Sequence, residues 1–107
     1  MEEKSRRKLA FLVSRAVGRS SATIYGHHTG EHTHMSGSGN NLYDHSSGDH
    51  FSSTYDHGSG SHWQLNLNGQ NFSGYNHGSG DHFSGSIAGG NITFYDHGTG
   101  EWYHYLA

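Results

Sequence analysis

The pattern of apolar and polar positions changes period once along this chain. Over residues 2–17, Leu9, Leu12, Val13, Ala16 and Val17 fall within an arc of about 140° at 100° per residue, while Phe11 points away from that arc. Glu2 and Glu3 open the segment and Gly18 closes it, so it reads as an amphipathic helix. Lys8, Arg15 and Arg19 flank its apolar stripe. Beyond residue 20 the period becomes two, the alternation of a half-buried strand. Asn68-Gly69 and Ala88-Gly89-Gly90 interrupt it, and Asn-Gly between alternating apolar residues is a hairpin signal.

The alternation is organised by a repeat. Tyr55-Asp-His-Gly-Ser-Gly-Ser-His-Trp returns 20 residues later from Tyr75 and again from Tyr95. Earlier copies begin at Tyr43, only 12 residues before Tyr55, and in degenerate form at Tyr25. Each 20-residue unit is expected to hold two strands and two tight turns. Strands are predicted near 62–67, 71–77, 82–87, 91–97 and 101–106, with further strands near 23–28, 31–35, 40–45 and 49–57.

In an antiparallel ladder the numbers of paired residues have a constant sum. Setting His57 opposite His62, Leu67 opposite Phe72, His77 opposite His82, Ile87 opposite Ile92 and His97 opposite Trp102 gives every loop four residues. Flat rows then cross the sheet. One face collects Trp63, Phe83, Leu65, Phe94, Tyr105, Phe72, Ile87 and Ile92; the other collects His, Tyr and small polar residues. The expected fold is therefore mainly β: an antiparallel meander of strand-turn-strand repeats (20–107) after a basic amphipathic helix (1–19). A β-solenoid is the alternative, because a 20-residue coil would also stack Tyr55, Tyr75 and Tyr95. The 12-residue step makes Phe51–Tyr55 too short for another hairpin, which points to a bulge at Ser52-Ser53 or a turned corner. The helix, with a second copy of the sheet, is expected to cover the apolar face.

The closing run Tyr95-Asp-His-Gly-Thr-Gly-Glu-Trp-Tyr-His-Tyr-Leu106 resembles short bacterial Tyr-Asp/Gly repeat proteins of uncharacterised function, over about residues 40–107. That resemblance implies an architecture and no activity. The strand-turn-strand unit, with Gly89-Gly90-Asn91 at its turn, is more distantly similar to curli-type repeats, whose Gln/Asn ladder it does not share.

Charge sharpens this reading. All six Lys and Arg lie in residues 1–19, which carry a formal +4, whereas residues 20–107 carry −7 with all 12 His neutral. Without Lys or Arg the repeats cannot neutralise phosphates, so nucleic acid is not an expected partner of the repeats. The basic helix could bind an anionic membrane or a protein partner. There is no Cys, hence no disulfide or thiolate chemistry, and no apolar run approaches the length of a membrane span. With no signal peptide apparent either, the expected location is cytoplasmic.

Candidate chemistry lies in the repeats. The His-x4-His spacing, at His27/His32, His45/His50, His57/His62 and His77/His82, brings imidazoles together across a strand pair. His57, His62, His77, His82 and His97 are thus candidate ligands for Zn, Ni or Cu, with Asp49, Asp56, Asp81 and Glu101 nearby, although no cofactor is required. The same row could respond to pH, since histidine titrates near neutrality. It could equally be a stacked ladder in which neutral His and Tyr cover a sheet face. Tyr55, Tyr75, Tyr95 and Trp102 are candidate interaction residues, and could also hold a sugar ring. No nucleophile elbow or phosphate loop is present, so no catalytic residue is assigned. The expectation is a non-enzymatic structural or interaction module that self-associates as a homo-oligomer through its strands, whose edges lack Lys and Pro.

Overall fold

A computed structural model describes residues 3–18, 22–38, 41–52, 54–58 and 60–107. The helix α1 spans Glu3–Ala16. Ten strands follow: β1 (Thr23–Gly26), β2 (Glu31–Ser38), β3 (Asn41–Asp44), β4 (Asp49–Phe51), β5 (Tyr55–Asp56), β6 (Ser61–Asn68), β7 (Asn71–Asn76), β8 (Asp81–Ala88), β9 (Asn91–Asp96) and β10 (Glu101–Leu106). Each pairs antiparallel with its neighbour in sequence, and β1 pairs with β10 to close a barrel. The meander is therefore observed, and the solenoid alternative is excluded because every pairing is antiparallel.

Closure changes how the apolar face is covered. The face curls around α1, and no second copy of the sheet is needed. Lys8 through Ser14 are all buried, at every angle around the helix. Phe11, expected to point away from the packing stripe, is fully buried and meets Phe51 edge-on with ring centroids 6.3 Å apart. Val17, expected within the stripe, is 40% exposed. The stripe assumed one packing surface, whereas the helix is surrounded. The unbroken run Leu9-Ala-Phe-Leu-Val13 is the signature of a helix buried all round.

The registers explain how a flat sheet became a cylinder. At the tight turns the expected pairing holds, with Leu67 opposite Phe72 and Ile87 opposite Ile92, and it continues into two-residue loops at Gly69-Gln70 and Gly89-Gly90. At the repeat-motif turns every predicted pair is off by two: Tyr55, Tyr75 and Tyr95, not His57, His77 and His97, face His62, His82 and Trp102. A slip of two preserves which face each residue occupies but turns flat rows into climbing ones. A barrel needs that stagger, because strands can close into a cylinder only when tilted.

The slip also sets Gly74 against Phe83 and Gly85 against Phe72. Each ring lies over the glycine opposite, where a Cβ would collide with it. The 12-residue step is a complete hairpin after all. Phe51 pairs with Asp56, and Ser52 N–H donates to the Tyr55 carbonyl at 2.7 Å. The indole of Trp63 donates to the Ser52 carbonyl at 2.8 Å and steadies this short part of the wall. The predicted bulge is thus replaced by a reversal; Ser53 itself lies outside the described residues.

Candidate functional site: the outer belt and the charged mouth

Five copies of the motif form the turns at one end of the barrel, and each residue in them has a separate task. The last glycine of each turn has a left-handed backbone: Gly30, Gly48, Gly60, Gly80 and Gly100 have φ between 67° and 74°, a region other residues resist. Two residues before the turn's first His, the Tyr lies on the outer face, and in three copies its hydroxyl reaches over that glycine, 3.7 Å from where a Cβ would stand. The residue between Tyr and His points inward. It is Gly26, Asp44, Asp56, Asn76 or Asp96, and all five are buried. In the four polar cases its Oδ1 accepts backbone N–H groups of the turn, as Asp96 does from Gly98 at 2.8 Å and Asn76 from Gly78 at 2.9 Å.

The three carboxylates among these five also meet the helix. Arg6 Nη1 lies 3.1 Å from Asp96, Arg7 Nε 2.8 Å from Asp44, and Lys8 Nζ 2.9 Å from Asp56. Consecutive helical residues fan out by about 100°, so three adjacent cations reach three different turns of the mouth. Lys8 makes a second contact, with Asp49 at 3.1 Å. Arg6 also lies over the Tyr103 ring at 3.8 Å. Burial alone would lower the Arg6 pKa, but Tyr105, Tyr103, Glu3 and the Asp96 hydrogen bond together raise it, so the guanidinium stays charged. The Tyr105 hydroxyl, which donates to Glu3, is pushed far up by burial and by the Glu3 charge. Arg6, Arg7 and Lys8 are therefore directed into the barrel, while Lys4 is exposed, Arg15 is half-buried and Arg19 lies outside the described residues.

The outer face presents a belt of rings. Tyr25, Tyr43, Tyr55 and Tyr75 each sit between two imidazoles of their own hairpin, with centroid distances of 4.5 to 5.1 Å. Tyr95 sits between His97 and the indole of Trp102, which is 58% exposed. The His-x4-His pairs of the sequence are consequently separated by a tyrosine ring.

Different histidines oppose one another, across the seams between hairpins. His77 N–H donates to the His62 carbonyl, His97 to His82, His57 to His50, His45 to His34 and His27 to His104, at 2.8 to 3.0 Å. These contacts extend the flanking ladders by one residue, and all ten side chains are exposed. Shallow grooves follow three of these seams. His62 and His77 line one of about 490 Å³ with Gln64; His82 and His97 line one of about 510 Å³ with Tyr75 and Asn66; His27 and His104 line a third of about 230 Å³.

The structure thus places His57, His62, His77, His82 and His97 in one belt. The expected tight-turn register, which also sets His62 opposite His77 and His82 opposite His97, is kept, whereas His57 no longer faces His62 and His77 no longer faces His82. His27, His34, His45, His50 and His104 belong to the belt as well. His34 and His104 were missed because they stand outside the x4 spacing, and only the register exposes them. Among the described residues no group of three or more His, Cys, Asp or Glu is placed to hold a metal ion. Nor is any described helix long and apolar enough to cross a membrane. No family model, curated protein or solved structure matches this chain.

Proposed function

We propose that this protein is a non-enzymatic structural or interaction module that self-associates and makes its contacts through the outer belt. The observation supporting this is repetition: Tyr-centred ring clusters recur around a closed wall and offer the same chemistry in every direction. Individually weak contacts repeated in this way gain strength by avidity. The interior speaks for the same reading, since it is filled by the protein's own helix and leaves a substrate little room. Closure removes the strand edges on which edge-to-edge pairing would rely. Association then runs through belt side chains, or through exchange at the β1–β10 seam that closes the barrel, where Tyr25 pairs with Leu106 and Gly26 with Tyr105. Size-exclusion chromatography with light scattering, over a dilution series in EDTA, tests this reading. Oligomers that dissociate in Tyr55→Ser/Tyr75→Ser support it; a monomer at every concentration refutes self-association.

A second reading is a His face that responds to metal or pH, favoured by the directly opposed imidazoles. Protonating both members of a pair sets like charges opposite each other, which is destabilising. Carbohydrate binding is a third, with Tyr75, Gln64, Asn66 and Ser73 along one groove supplying a ring face and hydrogen-bonding groups.

A further inference from the structure

The opposed histidines carry the second reading to a definite site. We infer that each seam pair is a bidentate site for one divalent transition-metal ion of the Cu²⁺, Ni²⁺ and Zn²⁺ class. Directly opposed residues have Cβ atoms about 4.5 to 5.5 Å apart, and imidazole nitrogens bind these ions at about 2.0 to 2.1 Å, so two rings can close on one ion without moving the backbone. Both rings of a pair are exposed and, at His62/His77 and His82/His97, border a common groove. Within a hairpin the geometry is different: the Tyr55 ring stands between His57 and His62, 4.7 Å from each, and screens one from the other.

Two protein ligands leave the remaining coordination positions to water or to an added donor. Such a site is open and exchangeable, with Cu²⁺ held most tightly of the three. This inference deepens the reading of a metal-responsive His face and rests on it. It is independent of self-association, because ions bound per chain and particle size are separate readouts.

The test is equilibrium dialysis of the full chain against Cu²⁺, reading ions bound per chain, with circular dichroism to verify that each variant keeps its fold. His62→Gln, His77→Gln and their double variant should each lose the same single ion, because either change leaves one imidazole at that seam. His57→Gln/His62→Gln should lose two, because those residues belong to neighbouring seams. The reverse pattern, in which the His57/His62 variant loses one ion and the His62/His77 variant loses two, would overturn the assignment. So would the absence of uptake by the wild-type chain. Electron paramagnetic resonance of the first bound Cu²⁺ is the independent check: coupling to two imidazole nitrogens is expected, and coupling to one overturns the bidentate site.

Discussion

Lys8 Nζ lies 2.9 Å from Asp56 Oδ1, and both side chains are 1% exposed. This is an ion pair sealed between a helix and the wall that encloses it. Removing one member of a buried pair leaves the other uncompensated, at a cost of about 3 to 5 kcal/mol. Lys8→Met should therefore lower unfolding stability by that amount in urea titrations at pH 7. Adding Asp56→Asn should recover part of the loss, because Asn76 already caps the equivalent turn without a charge.

Asn76 itself supplies a second prediction. Three of the polar inward positions are acidic and face three helix cations, whereas the fourth is an amide. Asn76→Asp would bury a carboxylate at a turn to which none of the paired helix cations Arg6, Arg7 and Lys8 is directed, costing about 2 kcal/mol at pH 7. Desolvation raises the pKa of such a group, so the penalty applies above its ordinary titration range and shrinks as the carboxyl protonates. Stability measured at pH 7 and pH 4.5 should differ from wild type more at the higher pH.

The sign is opposite at Asp49. Its desolvation works against ionisation, but hydrogen bonding and the charges of Lys8 and Lys4 outweigh it and hold the pKa below the ordinary 3.8. Its contribution to stability is present above that ordinary value and lost as pH falls through the lowered one. Below about pH 4 the wild type should lose stability more steeply than Asp49→Asn, as read by unfolding midpoints across the acid range.

Gly85→Ala tests the wall. A methyl group there would overlap the Thr93 carbonyl and stand 2.8 Å from Phe72 Cζ. Overpacking against backbone should cost at least about 2 kcal/mol, and thermal unfolding should detect it. Gly69→Ala meets nothing within 4 Å but has a φ of +64°, so its smaller loss would measure backbone strain alone.

Much of the barrel wall was legible in the sequence because alternation fixes which face a residue occupies. The tight turns were legible because two-residue loops leave little freedom. A slip of two residues at the motif turns was not, since it leaves the alternation unchanged; Tyr75 or His77 opposite His82 satisfies the pattern equally well. Closure depends on the sum of such slips and is invisible in any one hairpin. The helix was recognised as an element, but its surroundings were not. The segregation of its positive charge is plain in the sequence, but the partners of Arg6, Arg7 and Lys8 are defined only by the closed wall, which brings Asp96, Asp44 and Asp56 together around one mouth. The histidine row was legible as a row. Its pairing across the tight turns, His62 with His77 and His82 with His97, stayed where alternation and loop length put it, and its pairing across the motif turns moved with the slip.

The enclosed helix has one more consequence. Ten strands tilted by about 40° make a cylinder of roughly 10 Å radius, close to what one α-helix and a layer of inward side chains fill. Open repeat proteins can gain or lose units, because each contacts only its neighbours. Here a sixth hairpin would leave a void beside the helix, and a barrel of only four would crush it. The repeat can diverge in sequence and even shorten, as β4 and β5 do, but its copy number is locked to the girth of the segment it surrounds.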